Sequence, residues 1–104
     1  MTDYSIIITT FPDKEAAEPT AKLLVEKRLA ACVQLFPIES VYSWQGKVCD
    51  ESEVMLIIKS RTDMFDKVMT AIKEIHTYDV PEIIRLPIAD GLPEYLKWIG
   101  DCVE

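Results

Sequence analysis

Two runs of apolar residues constrain this chain more than anything else in it. Ile6, Ile7 and Ile8 are consecutive, and so are Met55, Leu56, Ile57 and Ile58. Both runs are rich in β-branched residues and too short for a helix, so both read as strands. Side chains along a strand point alternately to opposite faces, so a sheet with one wet face is written as apolar–polar alternation. These strands do not alternate. Both of their faces must be covered. A chain of 104 residues reads as one domain over 1–104 and has few elements to spare for a second layer. A second copy of the chain is the economical cover, and an oligomer is expected.

The remaining elements follow from local signals. Residues 4–10 form the first strand, which Pro12 and Asp13 end, with Asp13 as the cap of the next helix. Ala17, Ala21, Leu24 and Leu29 recur at helical spacing and predict a helix from Lys14 to about Ala31. Pro19 is tolerated there only if the helix starts near Ala16 or kinks. Residues 32–36 read as a strand broken by Pro37. A second extended stretch then places Ile38, Ser40, Tyr42 and Trp44 on one side, and Glu39, Val41 and Ser43 on the other. Gln45–Gly46 makes a turn, and residues 47–59 return as the other arm of a long hairpin.

Ser60 or Thr62 is the expected cap of the next helix, whose apolar face is Phe65, Val68, Met69, Ile72 and Ile75. The segment "EIIRLPI" makes a last strand. A short helix follows Gly91–Leu92–Pro93, with Leu96 and Ile99 on one side. The order β-α-β-β-α-β with a C-terminal helix predicts an α+β, ferredoxin-like sandwich.

Charge and composition exclude several roles. The formal charge is −7 with no basic stripe, which argues against nucleic acid as a partner. No apolar run reaches membrane-spanning length, and the first residues do not read as a signal peptide. Cys32, Cys49 and Cys102 are an odd, widely spaced set, which suits free thiols in the cytoplasm.

Two places are candidates for chemistry. His76 is the only histidine. At the end of a helix it serves the terminal carbonyls, or it ligates a metal with oxygen donors from Asp79 and Glu82. A role in acid–base catalysis has no neighbouring nucleophile in sequence to support it. Tyr42 and Trp44 share a face of the hairpin and need a surface to cover. That surface is either a neighbouring subunit or a small-molecule cleft with Lys47 and Glu82 as its polar groups.

The segments "EKRLAACVQLFPIESVYSWQGKV", "EVMLIIKS", "IHTYDVPEIIRLPI" and "YLKWI" resemble, in order and spacing, the CutA divalent-cation tolerance proteins. The resemblance runs from Ile6 to Ile99. It implies a homotrimer similar to the PII signalling proteins and a role in tolerance of divalent metals, copper above all. It implies no enzymatic reaction and no obligatory cofactor. The copper ligands proposed for bacterial relatives, a cysteine and two adjacent histidines, fall here on Thr9, Ile75 and His76. Only His76 matches, so the metal site expected is a weak one centred on it. The alternatives are a regulatory trimer that binds a small molecule as PII proteins do, or a passive scaffold. An acylphosphatase-like enzyme would need a phosphate-cradling loop with an arginine after the first strand. The residues there are "TTFPDKEAA".

Overall fold

A computed structural model describes residues 3–104. Strands β1 (Tyr4–Phe11), β2 (Cys32–Trp44), β3 (Lys47–Arg61) and β4 (Ile83–Pro87) form one antiparallel sheet in the order β2-β3-β1-β4. Helices α1 (Lys14–Glu26) and α2 (Phe65–Ile75) follow β1 and β3, and α3 (Pro93–Cys102) closes the chain. The β-α-β-β-α-β order and the C-terminal helix are those the sequence predicts.

Register assigns each strand residue to a face. Ile7 is opposite Ile58, Thr9 opposite Leu56 and Ser5 opposite Ser60, and all six are buried. Ile7, Leu56 and Ile58 share a core cluster with Ala17, Ala21 and Leu24 of α1 and with Val68 and Ile72 of α2. Burying an aliphatic side chain of this size contributes about 2 kcal/mol, so this layer supplies much of the folding free energy. The second face carries Ile6, Ile8, Ile57, Met55 and Phe36, continued on β4 by Ile84 and Leu86. Phe36, Ile84 and Leu86 remain 40–48% exposed. Helix α3 covers only the Tyr4 end of this face. There Lys59 Nζ donates to Tyr95 Oη at 3.2 Å. Gly100 comes so close to Tyr4 that a Cβ would stand 3.3 Å from its hydroxyl oxygen.

Four local expectations are corrected. Helix α1 begins at Lys14, where Asp13 Oδ1 accepts from the Ala16 amide at 2.9 Å, and it runs through Pro19. Pro19 and Glu15, whose carbonyl loses the amide that proline lacks, are both exposed, so solvent is available in place of the missing donor. The helix stops at Glu26 rather than near Ala31, because Arg28 takes a left-handed conformation with φ 58°. That conformation costs a non-glycine residue about 1 kcal/mol. The Arg28 guanidinium offsets it with bonds to the Cys102 and Asp101 carbonyls, each 3.2 Å.

Strand β2 is continuous through Pro37, which is tolerated because β2 is the edge of the sheet and one side of its backbone needs no partner. Neither Ser60 nor Thr62 caps α2. Ser60 Oγ bonds the Leu29 carbonyl at 2.7 Å, and Thr62 Oγ1 pairs with Ser5 Oγ at 2.6 Å. A single 3₁₀ turn, Thr62–Met64, leads into the helix instead.

Thr9 breaks the pattern of paired hydroxyls. Its Oγ1 is buried among the helix-facing residues and has no hydrogen-bond partner among the described residues. A buried unsatisfied hydroxyl costs about 1–3 kcal/mol, and valine has the same shape without it. Thr9→Val is therefore expected to stabilise the fold by about 1 kcal/mol. A rise of a few degrees in melting temperature checks this, and a fall would mean that the hydroxyl has a partner.

Candidate functional site

His76 stands where α2 ends, with extended backbone that turns the chain toward β4. Its Nε2 lies 2.6 Å from the Thr10 carbonyl oxygen, which can only accept, so Nε2 carries the proton. Its Nδ1 accepts the Tyr78 amide N–H at 3.1 Å. The ring stacks on Phe11 with centroids 4.2 Å apart and planes 17° from parallel, and Tyr78 packs against it at 4.8 Å. Both ring nitrogens are therefore engaged, and the imidazole ties β1 to the corner after α2.

The ligand set that the resemblance implies does not fit this arrangement. Thr9 is buried against the helices, Ile75 is exposed, and neither offers a nitrogen or a thiolate. Among the described residues no three His, Cys, Asp or Glu side chains stand close enough to hold one metal ion. Ligation by His76 would first break its bond to Thr10 or to Tyr78.

Tyr42, Trp44 and Glu82 do come together. They line one groove of about 950 Å³ between the outer half of the β2–β3 hairpin and the segment 77–82. The hairpin can reach this far because Gln45 and Gly46 both take positive φ, 50° and 77°, the geometry that closes a two-residue turn without splaying its arms. Register puts Ile38, Ser40 and Tyr42 of β2 opposite Glu53, Glu51 and Cys49 of β3, so all six side chains share the groove's face. Lys47 is paired with Trp44 at the hairpin tip and does not line the groove. Its exposed ammonium is free to extend into water, so Lys47 is not one of the groove's polar groups.

The groove is acidic. Glu51, Glu53, Asp79 and Glu82 line it, and among the described residues no Lys or Arg does. Glu39 also borders it and accepts a 2.5 Å bond from Ser52 Oγ. Two phenols orient two of the carboxylates. Tyr42 Oη donates to Glu51 Oε1 at 2.6 Å, and Tyr78 Oη donates to Glu53 Oε2 at 2.9 Å. The bond to Glu51 and the carboxylate charge push the Tyr42 phenol up to about 12. Burial, with the bond to Glu53, pushes Tyr78 higher still. Both phenols therefore stay protonated donors at neutral pH. Sequence reasoning missed Glu51, Glu53 and Tyr78. The alternation of Cys49, Glu51 and Glu53 on the arm facing Tyr42 was the signal for the first two, whereas the Tyr78–Glu53 bond joins residues 25 apart in sequence.

The profile of the CutA1 divalent ion tolerance proteins matches residues 5–102. The chain belongs to that family. It is 46% identical over 97 residues to a divalent-cation tolerance protein CutA of Thermus thermophilus, covering 92% of this chain and 94% of the relative. A CutA structure from Archaeoglobus fulgidus superposes with a TM-score of 0.95 at 44% identity, covering 97% of this chain and 99% of that one. CutA1 from Oryza sativa superposes equally well, with a TM-score of 0.95 at 41% identity and 99% and 95% coverage. The family is named for a tolerance and not for a reaction. In CutA terms, the sheet, the long hairpin and α3 of this chain are the shared fold, and the acidic groove is built on the hairpin.

Proposed function

We propose that the chain acts as a homotrimer that binds an organic ligand in a cleft at the subunit boundary, and that its part in divalent-cation tolerance runs through that ligand. The carrying observation is that Tyr42, Trp44 and Glu82 gather in one roomy groove while both nitrogens of His76 are spent on the fold. The apolar second face supports assembly. Phe36, Met55, Ile57, Ile8, Ile84 and Leu86 form a continuous surface that water would otherwise cover. The groove opens on the same side of the sheet, so a subunit packed on that face would meet its rim. This is the arrangement in which a PII-like trimer places ligands between subunits. Three cysteines without disulfide bonds are consistent with a reducing cytoplasm.

Direct binding of copper is the second reading. The acidic surface attracts cations generally, and carboxylates suit Cu(II) better than Cu(I). A thermal-shift panel separates the two readings. A ligand held a hundred times above its Kd stabilises the folded state by about 2.7 kcal/mol, a shift of several degrees. Such a shift is expected with one class of organic ligand and not with copper, zinc or other divalent ions. A shift with metals alone would overturn the ligand reading.

A further inference from the structure

We propose that the ligand of the groove is a linear organic polycation of the polyamine type, an inference that rests on the groove being the ligand site. Its volume, about 950 Å³, is far more than an ion needs and is in the range of pockets that enclose small organic molecules. Aromatic side chains form part of its walls. Tyr42, Trp44 and Tyr78 are among its lining, and a cation held over an aromatic face is favoured by the ring quadrupole, most strongly over Trp.

Charge then decides the sign of the ligand. Among the described residues of this chain the groove has carboxylates and no cationic side chain, so an anion entering it would meet like charge from this subunit. A phosphate or carboxylate ligand of the kind a lysine would hold finds no ammonium from this subunit there, because Lys47 lies outside. The distribution of the carboxylates decides the shape. A metal ion needs several donors converging within about 2–2.6 Å of one point. The described acidic and thiol groups do not converge in this way. Instead they are spread out. Glu51 and Glu53 are two residues apart on one strand, about 7 Å along the groove, and Asp79 and Glu82 come from the opposite wall. Charges so spaced match amino groups joined by three or four methylenes, whose aliphatic links can lie on Ile38, Met55 and the aromatic rings. The phenol bonds leave the second oxygen of Glu51 and of Glu53 available to an ammonium.

The test uses the assembled wild-type protein and calorimetric titration with spermidine, putrescine, ATP and citrate. Spermidine is expected to bind saturably with one molecule per chain, putrescine about tenfold more weakly, and added salt should weaken both. The variant Glu51→Gln/Glu53→Gln keeps oxygens that still accept from the two phenols, and it should lose spermidine affinity at least tenfold. The variant Glu15→Gln/Glu18→Gln, on the exposed side of α1, should bind as wild type does. Equal loss in both variants would mean non-specific attraction to an acidic protein and would overturn the proposal. So would full retention in Glu51→Gln/Glu53→Gln. Binding of ATP or citrate that Trp44→Ala abolishes, with none of spermidine, would keep the groove as ligand site and overturn the polycation. No binding by any of the four would remove both.

Discussion

His76→Ala is expected to lower stability by about 3 kcal/mol at fixed protomer concentration and to leave Cu(II) binding unchanged. The first figure sums what the ring does. Its Nε2–H bond to the Thr10 carbonyl and its acceptance of the Tyr78 amide are each worth about 1 kcal/mol, and the stack on Phe11 adds a similar amount. The loss should concentrate at the corner between α2 and β4, because alanine leaves the Thr10 carbonyl and the Tyr78 amide without their partner. Urea denaturation reads the first effect. Calorimetric titration of Cu(II) into the folded variant reads the second. A fold barely changed, with Cu(II) binding abolished, would make the imidazole a ligand and restore the metal site that the family resemblance implies.

Ile57→Glu is expected to dissociate the assembly while leaving the secondary structure in place. Ile57 lies at the middle of the second face, opposite Ile8 on one side and Gln34 on the other. In an isolated subunit Ile57 is only half-buried, so a glutamate there keeps part of its hydration and costs less than at a sealed position. Between packed subunits it would be an unpaired buried carboxylate, which costs several kcal/mol in each copy. The companion Ile58→Glu acts on the other face, where Ile58 is fully buried under the helices, and should unfold the subunit outright. Circular dichroism and light scattering on the two variants separate an interface from a core. Identical behaviour of the two would remove the interface.

What the sequence makes legible is what neighbouring residues decide. The apolar runs that make β1 and β3, the Gln45–Gly46 turn and Pro93 at the start of α3 are local signals, and each of these elements is found in the structure. The misread places are those where distant parts intervene. The left-handed Arg28 that ends α1 is held by carbonyls of α3, more than seventy residues away. The hydroxyls of Ser60 and Thr62 look like helix caps until β1 and the Leu29 carbonyl claim them. Pro37 breaks a central strand but not an edge strand, and edge position is a property of the sheet. For the site, Tyr42, Trp44 and Glu82 were legible as large or charged groups with no local purpose. The role of His76 was not, because the Thr10 carbonyl is brought to it only by the packing of β1 against α2.

The most direct test of the interface read from the two-sided apolar strands is the solution mass of the wild-type protein. Each subunit is 11.9 kDa, so a trimer has a mass of about 36 kDa, three times that value. Sedimentation velocity at micromolar protomer concentration is expected to give a single species of that mass, unchanged on tenfold dilution. A single species at 11.9 kDa would contradict it, because the second face of the sheet would then be stable in contact with water.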